Sequence, residues 1–127
     1  MVIMPTDLHT SLILLARLLL GGAFLVSGLR NIRAIDGLTG FITSRGLPLP
    51  RLAATAGVAL EIVGGALVAI GPFAFYGGIG LVVFCILATL IFHNFWDHRG
   101  AERVEHTNAF LSNTALTGGM LLVALTA

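Results

Sequence analysis

The chain has 127 residues and a net charge of +1, and only 10% of its residues are charged whereas 57% are hydrophobic. A soluble domain carries about a quarter charged residues, so this composition and a mean hydropathy of +0.99 predict an integral membrane protein with one domain, residues 1–127. The lack of lysine and the small net charge exclude a basic surface for nucleic acid, and a single cysteine excludes a disulfide within the chain.

Four apolar segments are long enough to cross a bilayer, which takes about 20 helical residues. Gly71 and Pro72 separate the second segment from the third, and this pair predicts a tight antiparallel hairpin. The sequence therefore predicts an all-α, integral membrane, antiparallel four-helix bundle. The predicted spans are residues 10–29, 52–71, 73–94 and 108–126.

The two long connections differ in the pattern of their apolar and charged residues. In residues 30–51, apolar side chains recur at three- and four-residue spacing, which predicts a short interfacial helix over 32–44 that ends at Gly46. Residues 95–107 are rich in charge and are predicted to be solvated, with room for a helical turn.

The arginines predict the orientation of the bundle. Residues 30–51 contain four arginines and residues 95–107 contain two, while the termini and the Gly-Pro turn contain none. Basic residues near the ends of spans favour the cytoplasmic side. The sequence therefore predicts a multi-pass protein of the cell membrane with both termini outside and both arginine-bearing connections in the cytoplasm.

Arg17 and Glu61 are charges within predicted spans. An ionisable group in lipid costs at least a few kcal/mol and is normally paired or faces a cavity. Counted from the outer ends of antiparallel helices at 1.5 Å per residue, Arg17 lies about 12 Å deep and Glu61 about 15 Å deep. We therefore predict a buried ion pair, and a purely structural role in helix packing is an equal alternative.

A polar cluster is predicted at the arginine-bearing end of the bundle. A neutral imidazole there can hydrogen-bond a quinone carbonyl and relay protons, and an indole can stack on the quinone ring. The structural alternative is an ordinary aromatic belt, an interfacial histidine and a helix cap. The candidate quinone site comprises Ser27 and Arg30 on the first span, His93 and Trp96 at the end of the third, and Asn108 and Ser112 at the start of the fourth.

No histidine spacing in the sequence supports a metal or a haem. A His-x-x-x-His pair and a Glu-x-x-His motif, which would place ligands on one helix face, are both absent. Cys85 stands alone in an apolar segment and is predicted to be a packing residue.

Four stretches together resemble the DoxX family of small four-helix membrane proteins along nearly the whole chain: "ARLLLGGAFLVSGLRNI", "GLPLPRLAATAGVALEIVGGALVAIG", "FHNFW" and "NAFLSNTALTGGMLLVAL". Many members have lysine where this chain has Arg30 beside Asn31, and an arginine does not release its proton as a lysine can. The positions that match the family's characteristic residues are Arg17, Ser27, Gly28, Glu61, Gly65, His93, Trp96 and Asn113.

The resemblance implies a link to quinone chemistry. The family takes its name from a subunit of an archaeal terminal quinol oxidase, and related proteins are linked to thiosulfate:quinone oxidoreductase or to oxidoreductase complexes that handle thiol stress. It implies a small membrane subunit that contacts lipid, anchors a larger oxidoreductase subunit or forms a homo-oligomer, and contributes a quinone or quinol pocket. The alternatives are a non-enzymatic scaffold or assembly factor and, because Glu61 lies within a span, a small-solute or proton-coupled carrier.

Overall fold

The computed structural model of the chain describes residues 6–126, and all regular secondary structure in this part is helical, without a β-strand. Two single turns of 3₁₀ helix, Ile32–Ala34 and Phe95–Asp97, link longer elements. The all-α prediction is confirmed. The α-helices are α1 (Thr6–Asn31), α2 (Ile35–Ser44), α3 (Pro50–Ile70), α4 (Ala74–Phe92) and α5 (Gly100–Leu125).

The four long helices α1, α3, α4 and α5 are each long and apolar enough to cross a membrane. Large apolar side chains such as Leu15, Leu19 and Leu122 point away from the bundle and are exposed. A surface of this kind is stable against lipid tails and unfavourable in water. The predicted four-helix membrane bundle is therefore confirmed.

Consecutive long helices pack as antiparallel neighbours, α1 on α3, α3 on α4 and α4 on α5, whereas α1 touches α5 in few places. Small residues allow the closest approaches. A Cβ atom built on Gly21 of α1 would lie 2.6 Å from the carbonyl oxygen of Gly65 on α3, and one built on Gly78 of α4 would lie 2.6 Å from the Cβ of Ala124 on α5. These glycine contacts determine the register of the bundle.

The observed helices extend beyond the predicted spans. α1 is helical from Thr6, the first described residue, whereas the prediction begins at residue 10, and α5 starts at Gly100 instead of residue 108. The second long connection, residues 95–107, is mostly exposed, as predicted, but from Gly100 onward it belongs to α5 instead of containing one helical turn. Its Glu and Arg residues are good helix formers, so the helix continues past the apolar segment into water.

The predicted hairpin is confirmed, and so is a short helix between the first and second spans. Gly71 has φ 112°, a conformation that favours glycine, and α4 starts three residues later. α2 lies across the end of the bundle that carries six arginines, here called the Arg-rich end; the opposite end is called the Gly71 end. Phe41 of α2 stacks on Phe92 at 5.0 Å between ring centroids, and Arg45 donates a hydrogen bond to the carbonyl of Ile91 in the last turn of α4.

The apolar core occupies the half of the bundle nearest the Gly71 end. Val68, Leu81 and Met120 are fully buried there, and Leu20 and Phe24 of α1 pack against them. This packing closes one half of the bundle. The other half, beneath α2, contains a cavity.

Candidate functional site

A cavity of about 690 Å³ lies between the helices in the half nearest the Arg-rich end. Ligand sites in proteins are typically about 300–1,000 Å³, mostly apolar and supplied with a few polar groups. All five α-helices contribute to the lining, which is largely apolar, and Phe24 and Phe84 meet edge to face at 6.4 Å along one wall. The polar side chains in the lining are Ser27, Asn31, Glu61, Cys85, His93 and Asn113.

Glu61 is the buried carboxyl group of the cavity, with 4% of its surface exposed. Its Oε1 accepts a hydrogen bond of 2.9 Å from Nδ2 of Asn31. α1 reaches this close because of Gly28, where a built Cβ would lie 2.9 Å from the Cβ of Glu61. One turn of α1 separates Ser27 from Asn31, so both polar side chains line the cavity from the same helix face.

The predicted ion pair between Arg17 and Glu61 is wrong. The guanidinium of Arg17 lies against Gly71, whereas Glu61 lies beside Gly28, eleven residues further along α1 and hence about 16 Å away along the helix axis. The ion pairs within residues 6–126 are on the surface and involve neither residue. The prediction assumes that the outer ends of the two helices lie at the same depth. In the structure the glycine contacts place Arg17 beside Gly71, directly after the end of α3, so the first turns of α1 extend beyond α3.

The six residues of the predicted polar cluster do not converge. Ser27 and His93 line the cavity, and the other four do not. Trp96 is 47% exposed and packs edge-on against Phe95 and Phe110 outside the cavity. The remaining three residues are exposed, namely Arg30, Asn108 and Ser112.

Asn31 and Cys85 are cavity residues that the sequence interpretation did not place in the site. Asn31 follows Ser27 by four residues, and this spacing places two side chains on one helix face. The sequence therefore contained a signal for including Asn31 in the site. Asn113, which matches the family pattern, lies on the α5 face that lines the cavity, one residue from the exposed Ser112. Thr89, one turn before His93, is buried, and its Oγ1 has no hydrogen-bond partner in the described part of the chain.

Three histidines cluster where α4 ends and α5 begins. Nδ1 of His93 lies 3.4 Å from Nδ1 of His106, and the ring of His106 stacks on that of His98 at 4.1 Å between centroids. Nδ1 of His98 lies 3.3 Å from Oε2 of Glu102. Residues 6–126 contain no group of three His, Cys, Asp or Glu side chains with the arrangement of a metal site.

Comparisons with known proteins agree with the composition and the fold. The model of one protein family, described as DoxX, matches residues 12–94, a region that runs through the cavity-lining parts of α1 to α4. The chain is similar to the inner membrane protein YphA of Escherichia coli (strain K12), with 28% identity over 115 residues, which cover 91% of this chain and 82% of that protein. A comparison with solved structures finds no match.

Proposed function

Because the chain belongs to the DoxX family, we propose that it is a small membrane subunit of a quinone-linked oxidoreductase complex. In this proposal it anchors a larger catalytic subunit and holds a quinone in the cavity at the Arg-rich end. The observation that carries the proposal is the cavity itself, which combines apolar walls with a buried carboxyl group, an amide and an imidazole.

The cavity suits a quinone in size and in chemistry. Phe24 and Phe84 offer an aromatic wall for a flat ring. The side chains of Ser27, Asn31 and His93 include hydrogen-bond donors for carbonyl oxygens. α1 and α5 touch in few places, so an isoprenoid tail can leave between them into the lipid.

Reduction of a bound quinone consumes two electrons and two protons. Glu61 is placed to hold a proton inside the cavity or to accept a hydrogen bond from a quinol hydroxyl, and Asn31 fixes its carboxyl group through the Nδ2 to Oε1 hydrogen bond. His93 can accept a proton at one ring nitrogen and release it from the other. We assign the electron transfer to the larger partner subunit.

The positive-inside rule favours a cytoplasmic Arg-rich end, since both connections at this end carry arginines. In that orientation the protons for the quinone come from the cytoplasm, and both termini lie outside.

Binding of a short-chain ubiquinone with a decyl tail to the purified protein tests the proposal. We expect the wild type to bind and His93→Ala to bind about tenfold more weakly, which corresponds to one lost hydrogen bond of about 1.4 kcal/mol. His9→Ala is the matched control, because His9 is exposed in the first turns of α1 at the Gly71 end. Absence of quinone binding, with full turnover of the complex in Glu61→Gln and His93→Ala, would leave a scaffold as the function.

A proton-coupled carrier is the second candidate, and Glu61 favours it. Its carboxyl group is buried in a span and has no cationic partner within residues 6–126, and such groups often mark proton pathways. Vesicles reconstituted with the protein would distinguish the two functions. A carrier moves protons or solute across the vesicle membrane without any partner subunit, and a quinone-binding subunit does not.

A further inference from the structure

We infer that His93 and His106 form a proton path between the cavity and the water at the Arg-rich end, with the ring of His98 stacked on that of His106. The inference rests on the proposed function for the use of the protons in quinone reduction. The path itself depends only on the arrangement of the imidazoles and is testable without a quinone.

The inner step of the path joins the cavity to α5. His93 follows the last turn of α4 and lines the cavity, and its Nδ1 lies 3.4 Å from Nδ1 of His106. A neutral imidazole has one donor and one acceptor nitrogen. A hydrogen bond between two Nδ1 atoms therefore requires that one ring carries its proton on Nδ1 and the other on Nε2.

The outer step of the path reaches the surface. The rings of His106 and His98 are nearly parallel, with an interplanar angle of 24°, and their centroids are 4.1 Å apart. The side chain of His98 is 24% exposed and that of its partner Glu102 is 75% exposed. Nε2 of His98 also lies 3.4 Å from Oδ1 of Asn94, so the ring is held from both sides.

The transfer balances in protons and moves no electrons. His106 takes a proton from surface water at its Nε2 and donates the proton on its Nδ1 to Nδ1 of His93. The same His93 ring then releases its Nε2 proton into the cavity. The net result is one proton moved from water to the cavity, and tautomer exchange within the two rings restores the starting state.

The charged groups around the path come from every neighbouring element. From α3, Glu61 lines the same cavity as His93. Directly after α2, Arg45 donates a hydrogen bond to the carbonyl of Ile91, two residues before His93. At the outer end, Asp97 accepts a hydrogen bond from Asn94, Glu102 pairs with His98, and Arg103 lies over the ring of Phe95. Glu61 thus shares the cavity with His93 at the inner end, and Glu102 contacts His98 at the outer end.

The direct test measures how fast the ring N–H proton of His93 exchanges with water, by NMR of protein labelled with ¹⁵N at histidine. In His106→Gln we expect exchange to slow on the order of a hundredfold, the lower end of what a positioned acid-base group contributes. Free imidazole in the buffer should restore much of the rate, which a merely structural role for His106 would not predict. His98→Gln should slow exchange less, because His106 keeps its own access to water.

His9→Gln is the control variant, because His9 lies at the opposite end of the bundle. An unchanged exchange rate in His106→Gln, with the native backbone spectrum retained, overturns the path. So does a slower rate that imidazole does not restore.

The outcome separates the path from the proposed function. If the wild type does not bind the decyl ubiquinone, the proposed function fails while the exchange rates still decide the path. If quinone binds equally well to His106→Gln, but the complex with the partner subunit reduces it more slowly at high pH, where protons are scarce, and imidazole restores the rate, both stand.

Discussion

The close contact between α1 and α3 predicts that Gly21→Ala destabilises the bundle. The added Cβ would lie 2.6 Å from both the backbone nitrogen of Ala69 and the carbonyl oxygen of Gly65. Since such atoms normally keep about 3.5 Å apart, the helices must separate by about 0.9 Å at this point. Neither neighbour is a flexible side chain, so we expect the free energy of unfolding to fall by about 1–3 kcal/mol, as for overpacked cores.

Gly22→Ala is the matched control for this prediction. It adds the same methyl group one residue later, where a built Cβ meets nothing within 4 Å. We expect its free energy of unfolding to stay within about 0.5 kcal/mol of the wild-type value. Reversible unfolding in mixed micelles with increasing SDS, followed by circular dichroism, compares the two variants. Equal stabilities of Gly21→Ala and Gly22→Ala would refute the glycine-determined register, and with it the separation of Arg17 from Glu61.

Further predictions concern the surface and the cavity. Arg51→Ala should lower the free energy of unfolding by less than about 1 kcal/mol in the same assay, because its ion pair with Asp36 is open to solvent, with side-chain exposures of 69% and 88%; a larger loss would contradict this. Asn31→Leu removes the hydrogen-bond donor of Glu61 and should weaken binding of decyl ubiquinone about tenfold, so an unchanged affinity would show that the carboxyl group needs no such support. Cys85 is the single cysteine and lines the cavity, so its labelling by N-ethylmaleimide should be slow and should slow further when decyl ubiquinone is added. If decyl ubiquinone does not change the labelling rate, the quinone binds elsewhere.

The architecture was predictable because length and hydropathy determine it directly. Four apolar segments of spanning length leave few arrangements besides a bundle, and Gly71 with Pro72 marks a hairpin. The apolar spacing in α2 also identified the short helix correctly. These predictions depend only on composition and on the spacing of neighbouring residues, and both can be read directly from the sequence.

The register and the inward faces were not predictable by the same means. In a bilayer the lipid-facing and bundle-facing sides of a helix are both apolar, so hydropathy does not show which side faces inward. For this reason the sequence assigns Ser112 to the candidate site, whereas it is Asn113 that lines the cavity. Arg17 was paired with Glu61 from helix ends, although the glycine contacts of Gly21 and Gly28 set the true register.

The central claim is that a quinone occupies the cavity next to Glu61, and the affinity of Gly57→Leu for decyl ubiquinone tests it most directly. Gly57 lines the cavity, and a Cβ built there meets Phe84 at an ordinary 3.5 Å, so the first carbon of a side chain fits there and we expect the rest of a leucine to extend into the cavity. Gly118→Leu is the control, because a Cβ at that exposed position meets nothing within 4 Å. We predict that Gly57→Leu binds at least about tenfold more weakly than the wild type and that Gly118→Leu binds normally. Equal affinities in all three proteins would contradict the claim.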